Sequence, residues 1–111
     1  MSLSDEQFEF AKDVTRLFEF LIMSGVKWTM GEVLRTPEQQ QIYYDANLSS
    51  TMNSKHLEKK AIDLNFWIDG ELTYKYEDLR FIGDFWTSLN ELNVWGGNWS
   101  KPHDTPHFQR T

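Results

Sequence analysis

The sequence contains no cysteine, and it has only three histidines and three prolines among its 111 residues. The absence of cysteine excludes disulfide bonds, thiolate zinc sites, iron–sulfur clusters and cysteine nucleophiles. Any metal site must therefore use His, Asp and Glu. No apolar run approaches the roughly 20 residues that a membrane-spanning helix needs. The acidic start MSLSDEQFEF also lacks the basic and apolar pattern of a secretion signal.

Basic residues are scarce as well, because 11 Lys and Arg stand against 17 Asp and Glu, for a net charge of −6. Nucleic-acid phosphates favour Lys and Arg, so we expect no nucleic-acid partner. Aromatic residues, by contrast, are abundant at 15% of the chain. Large rings bury much area per residue, so a chain of this length can still form a core. We expect one domain, residues 1–111.

Apolar spacing and turn residues predict three helices and a small sheet. The helices are expected at Ser4–Ser24 (capped by Ser4 with Gln7), Thr36–Asn47 and Glu77–Leu92. Strands are expected at Val26–Leu34, Ala61–Ile68 and Glu71–Tyr74. The predicted class is α+β, a small antiparallel sheet with about three packed helices. The polar segment Leu48–Lys60 reads as a long exposed loop, which favours a functional role.

Three residues of metal-ligand type are expected near the clearest strand, Ala61–Ile68. Alternation places Asp63 on the face opposite the Ile, Leu and Phe stripe. His56 lies in the loop just before the strand, and His107 lies in a C-terminal segment that can pair with it. Two imidazoles and a carboxylate suit zinc, with a fourth position left for water. Because these residues are far apart in the sequence, a solvated surface role for each stays open.

Asp104 stands three residues before His107, with Pro106 between them. Residues three apart on a regular strand face opposite ways, but Pro106 interrupts regular pairing. A bend at this point would place Asp104 beside a metal, where its carboxylate could accept a proton. The alternative is that this stretch forms only a turn.

Four segments, in order along the chain, resemble the M15 peptidases, zinc enzymes of the D-Ala-D-Ala carboxypeptidase and VanY type. SKHLEKKAIDL (54–64) is similar to the family signature Ser-x-His-x-x-Gly-x-Ala-x-Asp. DTPHFQ (104–109) resembles the second signature, an acid followed by a histidine and an aromatic residue. WGGNW (95–99) and LRTPEQQ (34–40) resemble two further family segments. The most similar subgroup is the short phage endolysins that cut the L-alanyl-D-glutamate bond of peptidoglycan.

The resemblance implies a Hedgehog/D-Ala-D-Ala-peptidase-like zinc fold with a catalytic zinc ion. It implies that His56, Asp63 and His107 bind Zn²⁺. It also implies that Asp104 acts first as the general base and then as the acid that protonates the leaving amine.

The resemblance further implies a substrate groove around the metal. Arg35 would bind substrate and stabilise the developing oxyanion, for which a guanidinium offers fixed donors, although a surface role for this arginine is the alternative. Ser54 would contact the peptide, and Trp99 could wall the groove. Gly96 and Gly97 are expected to supply backbone freedom for a turn.

The predicted function is a soluble, monomeric zinc metallopeptidase that hydrolyses a peptidoglycan stem-peptide bond, L-alanyl–D-glutamate in the first instance. It would be made in the cytoplasm and reach the cell wall with a holin-type partner. A D,D-carboxypeptidase or dipeptidase is one alternative.

A non-catalytic zinc-fold domain that binds peptidoglycan or a protein partner is another alternative. It is motivated by Lys59, which replaces the family glycine, and by the short segment after His107. If position 59 needs a positive φ, a lysine costs about 1 kcal/mol and could displace His56.

Overall fold

The computed structural model describes residues 1–33, 36–46, 54–100 and 103–111. Within these ranges the helices are α1 (Leu3–Met23), α2 (Pro37–Asp45) and α3 (Tyr76–Leu89). Two short 3-10 helices are η1 (Lys55–Glu58) and η2 (Gly96–Asn98). The strands are β1 (Lys27–Met30), β2 (Ala61–Ile68), β3 (Glu71–Thr73), β4 (Asn93–Trp95) and β5 (His107–Arg110). The predicted α+β class with three helices is confirmed.

The strands form one antiparallel sheet in the order β1-β2-β5-β4, and β3 also pairs with β2. β2 is the longest strand and has its predicted bounds. Its first half pairs with β5, in a register that sets Asp63 opposite His107. Its second half pairs with β1 and with β3, which follows the Asp69–Gly70 turn. β2 therefore pairs directly with β1, β3 and β5, and β4 joins the sheet through β5.

Helices α1 and α3 cover one face of this sheet with an aromatic and aliphatic core. The ring of Trp86 on α3 packs edge-on against Phe10 of α1, with centroids 5.8 Å apart. The same ring lies 6.0 Å from Phe108 of β5. The core also contains Leu17, Leu21, Ile62, Leu64, Phe66, Leu79, Ile82 and Trp95. This face of β2 and β5 is thus occupied by packing, so polar residues at the alternate positions face the other way.

The first helix begins earlier than the sequence predicted. Ser2, and not Ser4, is the N-cap: its hydroxyl accepts from the Asp5 N–H at 3.1 Å, and the Asp5 carboxylate accepts from the Ser2 N–H at 3.2 Å. The prediction of a Ser4–Gln7 capping box is wrong because this earlier serine has an acidic partner that returns the hydrogen bond. Gln7 instead donates to the carbonyl oxygen of Glu58 at 2.8 Å, which ties α1 to the segment before β2.

The C-terminal part of the sheet contains a strand that the sequence did not predict. α3 ends at Leu89, short of the expected Leu92, because Asn90 is extended (φ −163°, ψ 142°). The chain then turns directly into β4. A three-residue strand is too short to show alternation, so no sequence pattern announced it.

The middle of the chain agrees with the predicted second helix. Thr36 caps α2, and its hydroxyl accepts from the Gln39 N–H at 3.1 Å. Residues 48–53 of the predicted loop lie outside the described residues, and the described remainder, from Ser54, contains η1 and the turn into β2. In the described ranges, no helix combines the length and apolarity that crossing a membrane requires.

Candidate metal centre

Three elements bring His56, Asp63 and His107 together. His56 comes from η1, Asp63 from β2 and His107 from the start of β5. Asp63 Oδ1 lies 3.2 Å from His56 Nε2 and 3.3 Å from His107 Nδ1. The three ligand-type atoms all lie within 4.8 Å of one another. The antiparallel register places Asp63 and His107 side by side, and the turn before β2 brings His56 over them.

The donor set fits a zinc ion. Two ligands held about 2.1 Å from a tetrahedral zinc lie about 3.4 Å apart, close to the observed separations around Asp63. His56 Nε2 and Asp63 Oδ1 are buried and have no hydrogen-bond partner in the described structure, although they are only 3.2 Å apart. An unpaired buried polar atom is costly, and native structures rarely leave one without a reason. Two such atoms aimed at a common point indicate a site for a cation.

The His56 side of the site is built by a capped turn. The Ser54 hydroxyl accepts from the His56 N–H at 3.2 Å, and the ring's Nδ1 lies 3.1 Å from the carbonyl oxygen of Val33. Lys59 ends the turn in the left-handed conformation (φ 56°, ψ 37°), so the position does need a positive φ. The lysine therefore adopts the strained backbone, and His56 still reaches Asp63.

The His107 side is built by a close approach of two backbone segments. The Asp104 N–H donates to the Gly96 carbonyl at 3.0 Å, and the His107 N–H donates to the Asp104 carbonyl at 3.0 Å. A Cβ on Gly96 would lie 2.3 Å from the Asp104 carbonyl oxygen and 3.0 Å from the His107 Cβ. A glycine is thus needed at position 96 because a side chain there would collide with the Asp104 backbone. Neither Gly96 nor Gly97 has a positive φ. The predicted reason, backbone freedom, is not the one that the structure shows.

The expected bend brings Asp104 to the edge of the cluster. Asp104 Oδ2 lies 3.9 Å from His107 Nδ1, the nitrogen that also faces Asp63. The side chains of His56 and His107 are 1% and 6% exposed, whereas that of Asp104 is 43% exposed. Asp104 therefore stands where a buried ligand cluster meets solvent, and a substrate could reach it.

The charges of the cluster are coupled. Burial alone would raise the pKa of Asp63, but the neighbouring His107 and His56 rings outweigh it and lower that pKa from 3.8 to about 2. Burial opposes the charged form of His107, yet Asp63 and Gln109, with Asp104 further off, raise the pKa of this ring above 6.5. Asp63 is consequently an anion at neutral pH, as a metal ligand must be.

The remaining predicted site residues are Arg35, Ser54 and Trp99, and they differ in location. Arg35 lies outside the described residues. Ser54 is buried and caps the turn of His56, a structural contact that the sequence did not suggest. Trp99 is half-buried, with its ring centroid 5.0 Å from that of His107, so it borders the cluster.

Sequence reasoning missed the groups that hold the two imidazoles. One is the Val33 carbonyl, a backbone group that no residue pattern reveals. The other is Gln109, whose Oε1 lies 2.7 Å from His107 Nε2. The alternation of β5 could have identified this glutamine, because residues two apart on a strand share a face.

A buried ligand set of two histidines and one carboxylate, with a second, solvent-reachable carboxylate beside it, is typical of metal-dependent hydrolases. Comparison with known proteins agrees. The family model of an M15 peptidase group described as D-alanyl-D-alanine carboxypeptidase matches residues 48–110. Because this match covers more than half of the chain, the protein belongs to the M15 peptidase family. Zn²⁺ is the metal of this family, and the cluster supplies ligands of the type that zinc prefers.

Individual relatives extend the likeness beyond residues 48–110. The chain is 28% identical over 99 residues to the L-alanyl-D-glutamate peptidase of Listeria phage A118, in a match covering 85% of this chain. It spans only 34% of the length of that relative. The Serratia marcescens L-Ala D-Glu endopeptidase ChiX is 26% identical with a TM-score of 0.71, over 90% of this chain and 79% of ChiX.

A more distant structure shares the fold. The vancomycin-resistance D,D-pentapeptidase VanY of a VanB-type cassette, solved as a mutant with Zn(II), is 18% identical with a TM-score of 0.58. The match covers 92% of this chain and 70% of VanY. The predicted family and fold are thus confirmed.

Proposed function

We propose that this protein is a zinc-dependent peptidase that hydrolyses a peptide bond in peptidoglycan stem peptides, with L-alanyl–D-glutamate as the bond. The observation that carries the proposal is the convergence of two buried ligand atoms without a hydrogen-bond partner in the described structure, His56 Nε2 and Asp63 Oδ1, with His107 Nδ1. The choice of bond is supported by the phage peptidase and by ChiX, both named for that linkage.

In this proposal His56, Asp63 and His107 hold the zinc ion. When bound, Zn²⁺ polarises a carbonyl and makes a coordinated water more acidic. Asp104 accepts the proton as a water oxygen attacks the carbonyl carbon, and it delivers a proton to the leaving amine as the C–N bond breaks. Its position beside His107 and its exposure suit both steps. Arg35, Ser54 and Trp99 are proposed to bind the substrate, with Arg35 stabilising the oxyanion.

Two measurements on the purified protein test the proposal together: metal content by mass spectrometry, and products after incubation with purified peptidoglycan. We expect about one zinc per chain and new amino-terminal D-glutamate. A preparation that binds no zinc, or that binds zinc and cleaves no stem peptide, would contradict it.

Asp104→Asn tests the assigned base. The amide cannot accept the proton, so we expect turnover to fall by about 10²–10⁴-fold while zinc stays bound. Asp84→Asn, at an exposed α3 carboxylate that pairs with Arg80, is the matched control and should keep full activity. Full turnover by Asp104→Asn would mean that another group is the base.

A D,D-carboxypeptidase is the second candidate, because the matching family model has that description. The same digest separates the two activities, since a carboxypeptidase releases free D-alanine and creates no amino-terminal D-glutamate. The non-catalytic alternative loses its main support, because Lys59 adopts the left-handed turn without separating His56 from Asp63.

We further propose that the protein acts as a monomer and reaches the wall from the cytoplasm with a holin-type partner. The resemblance to phage lysins supports this proposal. Cytoplasmic expression should leave host cells intact until a pore-forming protein is co-expressed, and lysis without one would contradict it.

A further inference from the structure

The two histidines of the metal centre use opposite ring nitrogens. His56 directs Nε2 towards Asp63, while its Nδ1 lies 3.1 Å from the Val33 carbonyl oxygen. His107 directs Nδ1 towards Asp63, while its Nε2 lies 2.7 Å from Gln109 Oε1. In each ring, the nitrogen away from the cluster has its own oxygen partner.

Those oxygen partners decide which nitrogen has a free lone pair. A neutral imidazole has one N–H and one lone pair, and only the lone pair can bind a metal. An amide oxygen accepts hydrogen bonds and cannot donate them. The contact with Gln109 therefore favours a proton on Nε2 and a lone pair on Nδ1, whereas Asp63 Oδ1, 3.3 Å from Nδ1, competes for a proton there until a cation binds.

The strand explains how Gln109 reaches the ring. Residues 107 and 109 lie on the same face of β5, about 7 Å apart along the strand. Gln109 pairs in register with Ala61, a small residue whose side chain lies on the same face of the sheet. Its backbone is fixed as well, because the Gln109 carbonyl accepts from Trp86 Nε1 at 3.3 Å.

We propose that Gln109 is a positioning residue that holds His107 in the tautomer whose Nδ1 is free for the metal. This inference rests on the proposed zinc function. The partner of His56 is a backbone carbonyl, which substitution of a side chain cannot remove. The partner of His107 is a side chain, so its contribution can be measured directly.

Three variants separate the acceptor from the shape of the side chain. Gln109→Met keeps the length and removes the acceptor, whereas Gln109→Glu keeps an acceptor and adds charge. Gln41→Met is the matched control, because Gln41 is exposed on α2 and its amide donates to the Asp45 carboxylate, away from the cluster. The zinc dissociation constant, measured by competition with a chromophoric chelator, should rise about 10–100-fold for Gln109→Met. It should stay equal or fall for Gln109→Glu, and it should not change for Gln41→Met.

Histidine tautomers give a readout that a merely structural role would not change. Nitrogen-15 NMR of the metal-free parent, at a pH where the ring is neutral, should give the fraction of His107 that carries its proton on Nε2 rather than on Nδ1. Gln109→Met should lower that fraction, and Gln109→Glu should keep or raise it.

Several results would overturn the inference. These are a Gln109→Met protein that binds zinc as tightly as the parent, a Gln109→Glu protein that binds it as weakly as Gln109→Met should, and a Gln109→Met protein with the same tautomer fraction as the parent. If Gln109→Met does not fold, the zinc affinity and the tautomer fraction of Gln109→Glu still decide. A parent that binds no zinc at all refutes the proposed function itself, which separates that failure from the failure of Gln109.

Discussion

Strand β5 separates two buried polar clusters that differ in one respect, whether their hydrogen bonds are complete. On the helix-covered face, Arg110 joins Asp13 of α1 and Asn93 of β4. On the other face lie the ligand-type atoms of His56 and Asp63, which have no hydrogen-bond partner in the described structure. Both clusters link segments that are distant in the sequence, and both contain charge.

The cluster around Arg110 is closed. Arg110 donates to Asp13 Oδ2 at 2.6 Å and to Asn93 Oδ1 at 2.8 Å. Asn93 in turn donates to Asp13 Oδ2 at 3.0 Å and to the Trp86 carbonyl at 3.1 Å. The second oxygen of Asp13 accepts from Arg16 at 2.6 Å. A buried ion pair is tolerated only when its hydrogen bonds are satisfied in this way.

The comparison teaches how to distinguish a structural polar cluster from a functional one. The Arg110 cluster needs nothing from outside the chain, so its expected contribution is to stability. The cluster of His56 and Asp63 leaves buried atoms without hydrogen bonds in the described structure, so its expected contribution begins when a cation binds. The following experiments are arranged to test that separation.

The largest effect is expected for His56→Ala. Loss of one of three ligands should weaken zinc binding by more than about 100-fold and abolish peptidase activity. Thermal unfolding with added zinc is the measurement: zinc at 100 times its dissociation constant should stabilise the parent by about 2.7 kcal/mol and leave the variant unchanged. Tight zinc binding by His56→Ala would show that this ring is not a ligand.

Arg110→Met, in the closed cluster, should affect the stability of the metal-free protein. Removal of the Arg110 cation leaves the buried Asp13 with the hydrogen bonds from Asn93 and the half-exposed Arg16, which should lower the free energy of unfolding by about 3–5 kcal/mol. Urea unfolding of the metal-free protein measures it. Arg80→Met, at an exposed ion pair with Asp84, is the control and should change stability by less than about 0.5 kcal/mol. A variant that unfolds like the parent would show that the closed cluster adds no stability.

The pH dependence of stability should reverse sign when zinc binds. His107 has a raised pKa, so in the metal-free protein its stabilising contribution is complete below pH 6.5 and is lost as pH rises through the raised value. Zinc must displace that proton, so zinc binding and the stability of the loaded protein rise over the same range. Asp63, with a pKa of about 2, adds pH dependence only as pH falls from 3.8 towards 2. Thermal unfolding between pH 6 and 8, with zinc and with a chelator, measures both trends. If the unfolding temperature changed with pH in the same direction in both samples, this account would be contradicted.

The smallest effect is expected for Lys59→Gly. A non-glycine residue in the left-handed region costs roughly 1–2 kcal/mol, and the flexibility of glycine in the unfolded chain offsets part of it. We expect a gain of at most about 1 kcal/mol with unchanged zinc affinity. Asp69 is also left-handed (φ 53°), but aspartate tolerates this region better, so Asp69→Gly should gain less. A change in zinc affinity would show that Lys59 affects the position of His56.

Local features were predictable where one segment contains its own signal. The alternation of Ala61–Ile68 predicted β2 at its observed bounds, and Thr36 with Pro37 predicted the start of α2. The family glycine left the φ of position 59 conditional, and the structure decided it (φ 56°). The cap of α1 was wrong because two nearby serines are equally good caps by type, and the partner chosen by Ser2 decides between them.

By itself, therefore, the sequence determined the family, the class of fold and the residue types available for a metal, because these depend on local patterns and ordered motifs. The tertiary structure decided that His56, Asp63 and His107 converge, that Gly96 must lack a side chain for Asp104 to approach, and that each imidazole presents a different nitrogen. These outcomes depend on strand register and on contacts with groups such as the Val33 carbonyl and the Gln109 amide. Such contacts exist only after the chain has brought distant segments together, and no pattern within one segment encodes them.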